Sequence, residues 1–385
     1  MQEAKAIIPE YFLKADDLLP LLSALSRSAR VIAPVRSDWG EVFFQPLASA
    51  EQATFDYENA VVAPKDLLLP QTEVLARYRR VGSSYQVEAP IEEQPQVIAG
   101  IRSCDLCAVQ IWDEAIGGGK YPDPYYLARR RNTTFISIAC PTVFEKHFCP
   151  ALEAGPTLES GFDLHLTAIE GGFTAQVGSE AGLRLVKGQG KFLRPVTPAQ
   201  VEQRKRAARD SVARFAARFD IAAVQRTLSA GEGVEVIDDT AMRCQDCGGC
   251  LFVCPTCSCF DVRDYPTGAD SGERLRTWDT CAYAGFTRMA GGVNPSQSRD
   301  VRARRRLMHK LVYRLESEGL LGCVGCGRCI VACLGNIDIV DLLERLGGPS
   351  GHPEAGPSGS PLWDPEGPIR GPEGPKGGRE GARAE

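Results

Sequence analysis

Cys244-Gln245-Asp246-Cys247-Gly248-Gly249-Cys250-Leu251-Phe252-Val253-Cys254-Pro255 decides how this chain is read. Its thiols are separated by two, two and three residues and the last precedes proline, the spacing of a bacterial loop that holds a [4Fe-4S] cluster. A second copy follows at Cys323, Cys326, Cys329 and Cys333. In paired runs the fourth cysteine of each ordinarily ligates the other run's cluster. Cys244, Cys247 and Cys250 with Cys333 are therefore expected to hold one cluster, and Cys323, Cys326 and Cys329 with Cys254 the other. Gly248, Gly249, Gly325 and Gly327 suit such loops, because glycine lets the backbone approach and turn its N–H groups toward cluster sulfur. The competing reading is a pair of zinc sites, but four-cysteine zinc modules usually present two separated pairs of thiols. The second run departs from the pattern once: Leu334 stands where proline is usual, and is expected to shield the cluster instead.

Working outward, a chain of 385 residues has room for two domains. A formal charge of -5 with 24% charged residues gives no indication of nucleic acid or an anionic membrane as partner. Fifteen cysteines could form a disulfide framework, but such frameworks belong to short exported chains. The first residues carry charges at Glu3, Lys5, Glu10, Lys14, Asp16 and Asp17 with no apolar core of a signal peptide. No stretch reaches the roughly 18 apolar residues of a transmembrane segment. Thiols held for metal in a reducing, cytoplasmic setting fit this composition best.

Before the cysteine runs, helix-like and strand-like patterns alternate. A short helix over 16–25, interrupted at Pro20, precedes strands at 31–35 and 41–47, with another near Val61 and Val62. Residues 71–78, after Pro70, read as helix. Strands are expected at 96–101 and 133–139, with a helix over 106–115 between them. In an open α/β sheet ligands lie outside the carboxyl ends of strands, where Cys104 and Cys140 would stand. A β-meander is expected over 162–186 and a long helix over 198–219, N-capped by Thr197. Between the runs, residues 272–279 suggest a hairpin and 298–317 a helix. The fold class expected is α+β: an α/β domain (1–195), a helical linker (196–235), a mainly α-helical ferredoxin-like dicluster domain (236–346), and a Gly/Pro-rich disordered tail (347–385).

Seven thiols lie outside the runs. Cys257, Cys259 and Cys281, with one of Cys104, Cys140 or Cys149, could hold a third iron-sulfur centre; otherwise they are small buried residues. Cys107 reads as packing. The four histidines form no spaced set and read as structural or exposed. The arginines at 299, 302, 304, 305 and 306 read as a solvated helix face or a dock for an acidic partner. No Gly-x-Gly-x-x-Gly follows a strand, so no dinucleotide site is expected in this chain. No acid, base or nucleophile set stands out as catalytic.

Several blocks carry a resemblance: Lys65-Asp66-Leu67-Leu68-Leu69-Pro70-Gln71-Thr72-Glu73, Gly100-Ile101-Arg102-Ser103-Cys104-Asp105-Leu106, Asp123-Pro124-Tyr125-Tyr126-Leu127-Ala128-Arg129-Arg130, Val177-Gly178-Ser179-Glu180 and Trp278-Asp279-Thr280-Cys281. Together with the cluster runs they resemble the beta subunit of cytoplasmic NAD(P)-linked nickel-iron hydrogenases, or sulfhydrogenases, and the related iron-sulfur subunit of anaerobic sulfite reductase. The resemblance implies a non-catalytic electron-transfer subunit of an oxidoreductase complex. FAD and NAD(P) would belong to a partner flavin/NAD(P)-binding subunit, and the terminal reaction to catalytic hydrogenase or sulfur/sulfite reductase subunits. Ser103 stands where the family tends to have proline, and Cys149 where it commonly has a Cys-x-Cys pair. The alternative is an enzyme with its own substrate or flavin site near Arg102, Cys104, Asp105 and Cys140.

Overall fold

A computed structural model of the chain describes residues 9–348. The disorder expected of the tail therefore falls, from residue 349 onward, outside the described residues. The first part of the chain runs β1 (Glu10–Lys14), α1 (Leu18–Leu25), β2 (Arg30–Arg36), β3 (Val42–Pro46), β4 (Thr72–Val81), β5 (Ser84–Glu88), β6 (Gln96–Arg102), α2 (Ser103–Trp112), α3 (Pro124–Arg131), β7 (Thr133–Ile138), β8 (Leu164–Ile169), β9 (Gly172–Val177), α4 (Glu180–Gly188) and β10 (Leu193–Pro195). The second part is richer in helix: α5 (Pro198–Val212), α6 (Ile221–Ser229), α7 (Val234–Arg243), α8 (Gly249–Phe252), β11 (Phe260–Gly268), β12 (Ser271–Trp278), α9 (Arg299–Met308), α10 (Arg314–Glu318), α11 (Arg328–Val331) and α12 (Ile339–Gly347).

One eight-stranded sheet has the order β10-β1-β9-β8-β7-β6-β2-β3. Its centre is parallel, from β8 through β7 and β6 to β2, and its flanks are antiparallel. Strand β6 is buried along its whole length, as a parallel strand covered on both faces must be. Val97 and Ile136 face one core with Leu21 and Leu164, while Ile98 and Phe135 face another with Leu106 and Ile111.

Four local expectations give way to this framework. Pro20 does not interrupt α1, because it lies in the first turn, where a backbone N–H has no helical partner to lose. Residues 183–186 are helix, since Ser179 caps α4 by accepting from Gly182 N at 3.1 Å. The 198–219 helix keeps its Thr197 capping box but ends at Val212. Val61 and Val62 lie in a bend.

Residues 71–78 form strand rather than helix because β4 is paired on both sides, by β12 and β5. Such pairing overrides local preference. The resulting sheet, β11-β12-β4-β5, joins a hairpin lying between the cysteine runs to one from the first part of the chain. A buried ion network fastens it. Glu73 on β4 accepts from Arg129 Nη1 of α3 at 2.6 Å and from Arg276 Nε of β12 at 3.0 Å. Arg276 also pairs with Asp123, whose Oδ1 caps α3 by accepting from Tyr125 N and Tyr126 N.

Removing one member of such a network leaves the others charged and dry. Glu73→Ala is expected to cost about 3–5 kcal/mol, read as a shift in urea midpoint of the iron-replete chain. A second test concerns His165, fully buried between Ser137 Oγ at 2.8 Å from Nδ1 and Thr157 Oγ1 at 3.0 Å from Nε2. Burial, then Arg204, holds its imidazole down at about 3. The unfolded chain protonates this group near the ordinary value of about 6.5, so its contribution to stability is present above that pH and lost as pH falls toward 3. His165→Gln should flatten the fall in unfolding midpoint between about pH 7.5 and 5.5; an unchanged slope would contradict the assignment.

Candidate metal centre

The second cysteine run docks against the carboxyl ends of β6 and β7. Phe148 N donates to Gly325 O at 2.9 Å, and Asn59 Nδ2 to Cys326 O at 2.8 Å. Arg328, inside the run, donates from Nε to Ala60 O at 2.8 Å and grips Asp105 with both terminal nitrogens, at 2.5 and 2.7 Å. Asp105 lies in the first turn of α2, directly after β6. Gly325 and Gly327 have φ of 62° and 73°. A Cβ on either would stand 2.5 Å from Cys149 N or 2.6 Å from Lys146 O. The crevice expected at Arg102, Cys104, Asp105 and Cys140 therefore exists, but the chain fills it with its own cysteine loop, and all four residues are buried.

Cys254, from the first run, is also buried. Its charge bears on Cys323, Cys326 and Cys329 alike. Its thiol is held well below the ordinary range, first by a hydrogen bond from Cys257, then by Lys310 and Thr256 against the opposing effect of burial. In the first run Cys244 and Cys250 feel each other. Gly249 lies near both Cys247 Sγ and Ala332 O, which sets this loop beside the residue preceding Cys333. Cys333 Sγ accepts from Ile337 N at 3.3 Å. The two expected ligand groups thus draw together residues from opposite runs. The first is the more exposed, with Cys247 at the surface. Leu334 is 79% exposed and shields nothing; with Val331, also 79% exposed, it leaves apolar surface beside Cys333.

The arginine row is only partly a solvated face. Helix α9 packs on α7, with Arg302 buried, Arg304, Arg305 and Arg306 half-buried and Arg299 exposed. Asp246, at a φ of 53° in the first loop, accepts from Arg299 Nε at 2.9 Å and buried Arg302 Nη2 at 2.8 Å. Arg304 Nη2 donates to Leu228 O at 2.8 Å. Arg306 bears on Cys250, Cys329, Cys257 and Cys254, yet its Nε is buried with no hydrogen-bond partner among the described residues.

Two lysines escaped the sequence reading. Lys310 is 4% exposed and donates from Nζ to Cys254 Sγ, Thr256 Oγ1 and Gly322 O, each at 3.2 Å. Lys65 donates to Leu251 O at 3.3 Å and Cys257 O at 3.1 Å, with Nζ 4.1 Å from the centroid of the Trp278 ring. The available signal for Lys310 was a lone lysine inside the apolar run of Leu307, Met308, Leu311 and Val312.

Of the remaining thiols, Cys259 and Cys281 hydrogen-bond each other, which brings Cys259 down to about 7. Cys104 and Cys149 instead stand near Cys326, so two of the three fourth-ligand candidates lie at the second loop. Cys107 packs in α2, where burial pushes its thiol up to about 12. Among the described residues no three His, Cys, Asp or Glu side chains surround one ion-sized position. A cubane differs from one ion in that each thiolate binds its own iron, so its ligands frame a larger volume. The residues fit such a group: an orphaned buried Arg306 Nε, the cations of Lys310 and Lys65, and glycine loops with no room for a side chain all suit an anionic, thiolate-bound cluster.

Gly325→Ala is expected to cost about 2–5 kcal/mol, the left-handed backbone penalty plus overlap with Cys149. Gly319→Ala, at a φ of 73° in open space, should cost only about 1–2 kcal/mol. Equal urea midpoints for the two variants would refute tight docking of the loop.

Comparison with known proteins agrees with this geometry. The family model described as a 4Fe-4S dicluster domain matches residues 243–337. The chain is 28% identical over 322 residues to Sulfhydrogenase 2 subunit beta of Pyrococcus furiosus, covering 84% of this chain and 93% of that one. Within the described residues no helix is long and apolar enough to cross a membrane. The chain therefore matches a 4Fe-4S dicluster domain in its second part and is similar over most of its length to a sulfhydrogenase beta subunit.

Proposed function

We propose that the chain passes electrons, in the cytoplasm, between catalytic hydrogenase or sulfur/sulfite reductase subunits and a flavin/NAD(P)-binding subunit. The observation that carries this reading is the interleaving of the two cysteine runs. Cys244, Cys247, Cys250 and Cys333 would hold one [4Fe-4S] cluster, and Cys323, Cys326, Cys329 and Cys254 the other. Bound there, each cluster supplies a one-electron couple. The chain's own part is to hold the thiolates, exclude water from the second loop through Arg328 and Asp105, and aim hydrogen-bond donors at sulfur. Residues 1–195 form the scaffold under that loop and 236–346 the cluster-bearing unit, with 196–235 between them. FAD and NAD(P) are assigned to a partner.

The reading of an enzyme with its own substrate or flavin site at the strand ends is the less favoured, because Arg328 and its loop occupy that crevice. The role of the iron-sulfur subunit in an anaerobic sulfite reductase complex needs the same electron path and differs only in the catalytic partner.

Iron and acid-labile sulfide should each be near eight per chain, about four for each cluster. Cys247→Ser should lose about half of the iron, and Cys107→Ser none. A zinc-bearing, iron-free protein would overturn the reading. A count of about twelve would place a third centre on Cys257, Cys259 and Cys281.

A further inference from the structure

Lys310 and Arg306 lie four residues apart along one helical rod and so project from the same side. The rod is not uniform: α9 passes through a π-turn at His309–Tyr313 before α10, and Lys310 is in that turn. Turns of this kind recur where a helix must re-aim a functional side chain. Lys310 is aimed at the first run's last thiol, with its Nζ 3.2 Å from Cys254 Sγ. Its other two hydrogen bonds go to a hydroxyl and a carbonyl, and among the described residues no carboxylate is hydrogen-bonded to it. A buried ammonium without a carboxylate is costly, so its charge must be balanced by the thiolates it faces. Those are Cys254, Cys257 and Cys323.

The first run has a different surrounding. Its Cys244 lies against Asp246, whose backbone N donates to Cys244 Sγ at 3.5 Å, and Cys247 is exposed to water. Asp246 is itself neutralised by Arg299 and Arg302. Arg306 bears on Cys250 of one expected ligand group and on Cys329 and Cys254 of the other, so it does not distinguish the two groups. Lys310 does.

We infer that Lys310 is a positioning residue that fixes the order of electron flow: its ammonium, hydrogen-bonded to Cys254, holds the cluster of the second run at a higher reduction potential than that of the first. A cation and an N–H donor to ligand sulfur both favour the reduced, more negative cluster. Electrons entering at the exposed first run therefore settle on the buried second one.

This inference rests on the two-cluster reading, and the test separates the two. Iron-replete full chain, Lys310→Met and Lys310→Arg are compared by EPR-monitored redox titration, with iron counted in each sample. In Lys310→Met the higher-potential cluster should shift down so that its oxidised-to-reduced ratio at fixed potential rises about tenfold, or about 59 mV for a one-electron couple. The other cluster should stay in place and Lys310→Arg should remain near the parent. Unmoved potentials with full iron would overturn the inference. Loss of one cluster's iron in both variants would also overturn it, by making Lys310 a folding residue. A parent chain without iron would refute the two-cluster reading instead.

Discussion

The pairing of Arg328 with Asp105 is the contact on which the arrangement depends. It joins Arg328, between Cys326 and Cys329, to the first turn after a central parallel strand, with both groups dry. A buried pair of this kind adds little stability over an apolar replacement, yet breaking it is severe, because the survivor is left charged. It therefore fixes where the loop sits more than how strongly the chain folds. The strand ends of an open α/β sheet ordinarily receive a ligand. Here they receive a peptide loop, and the sheet becomes a platform for metal chemistry carried elsewhere in the chain.

Charge is distributed to the same end. Thiolates bound as proposed would bring negative charge into the interior, and Lys65, Lys310, Arg306 and Arg328 all lie close to cysteine. Away from the thiols, a second dry network of Glu73, Arg129, Arg276 and Asp123 ties the small sheet to α3. The group of Cys244, Cys247, Cys250 and Cys333 keeps one cysteine at the surface and apolar Val331 and Leu334 beside Cys333, while in the other group Cys254 and Cys326 are buried.

The cysteine runs were legible because metal-loop spacing is a local property, written in consecutive residues. The central strands were legible for the same reason: β6 and β7 are short apolar runs that the parallel sheet buries. What escaped depends on partners far away in sequence. Residues 71–78 look helical until β12 supplies a neighbour some 200 positions later. The arginines of α9 look solvated until Asp246 and Leu228 are brought beneath them, and Leu334 looks like a shield until its side chain is placed outside. The blocks quoted for family resemblance gain a physical meaning here. Lys65 and Trp278 stack, and Glu73, Asp123 and Arg129 meet in one network. These are contacts between segments, which no single window of sequence displays.

We propose that the two runs exchange their fourth cysteines and so hold two clusters in one unit. Low-temperature EPR of the fully reduced chain tests it most directly, because clusters that share a folded unit interact magnetically. A broadened, coupled spectrum integrating to about two spins per chain is expected. A single sharp signal of about one spin, or a silent zinc-bearing protein, would contradict it.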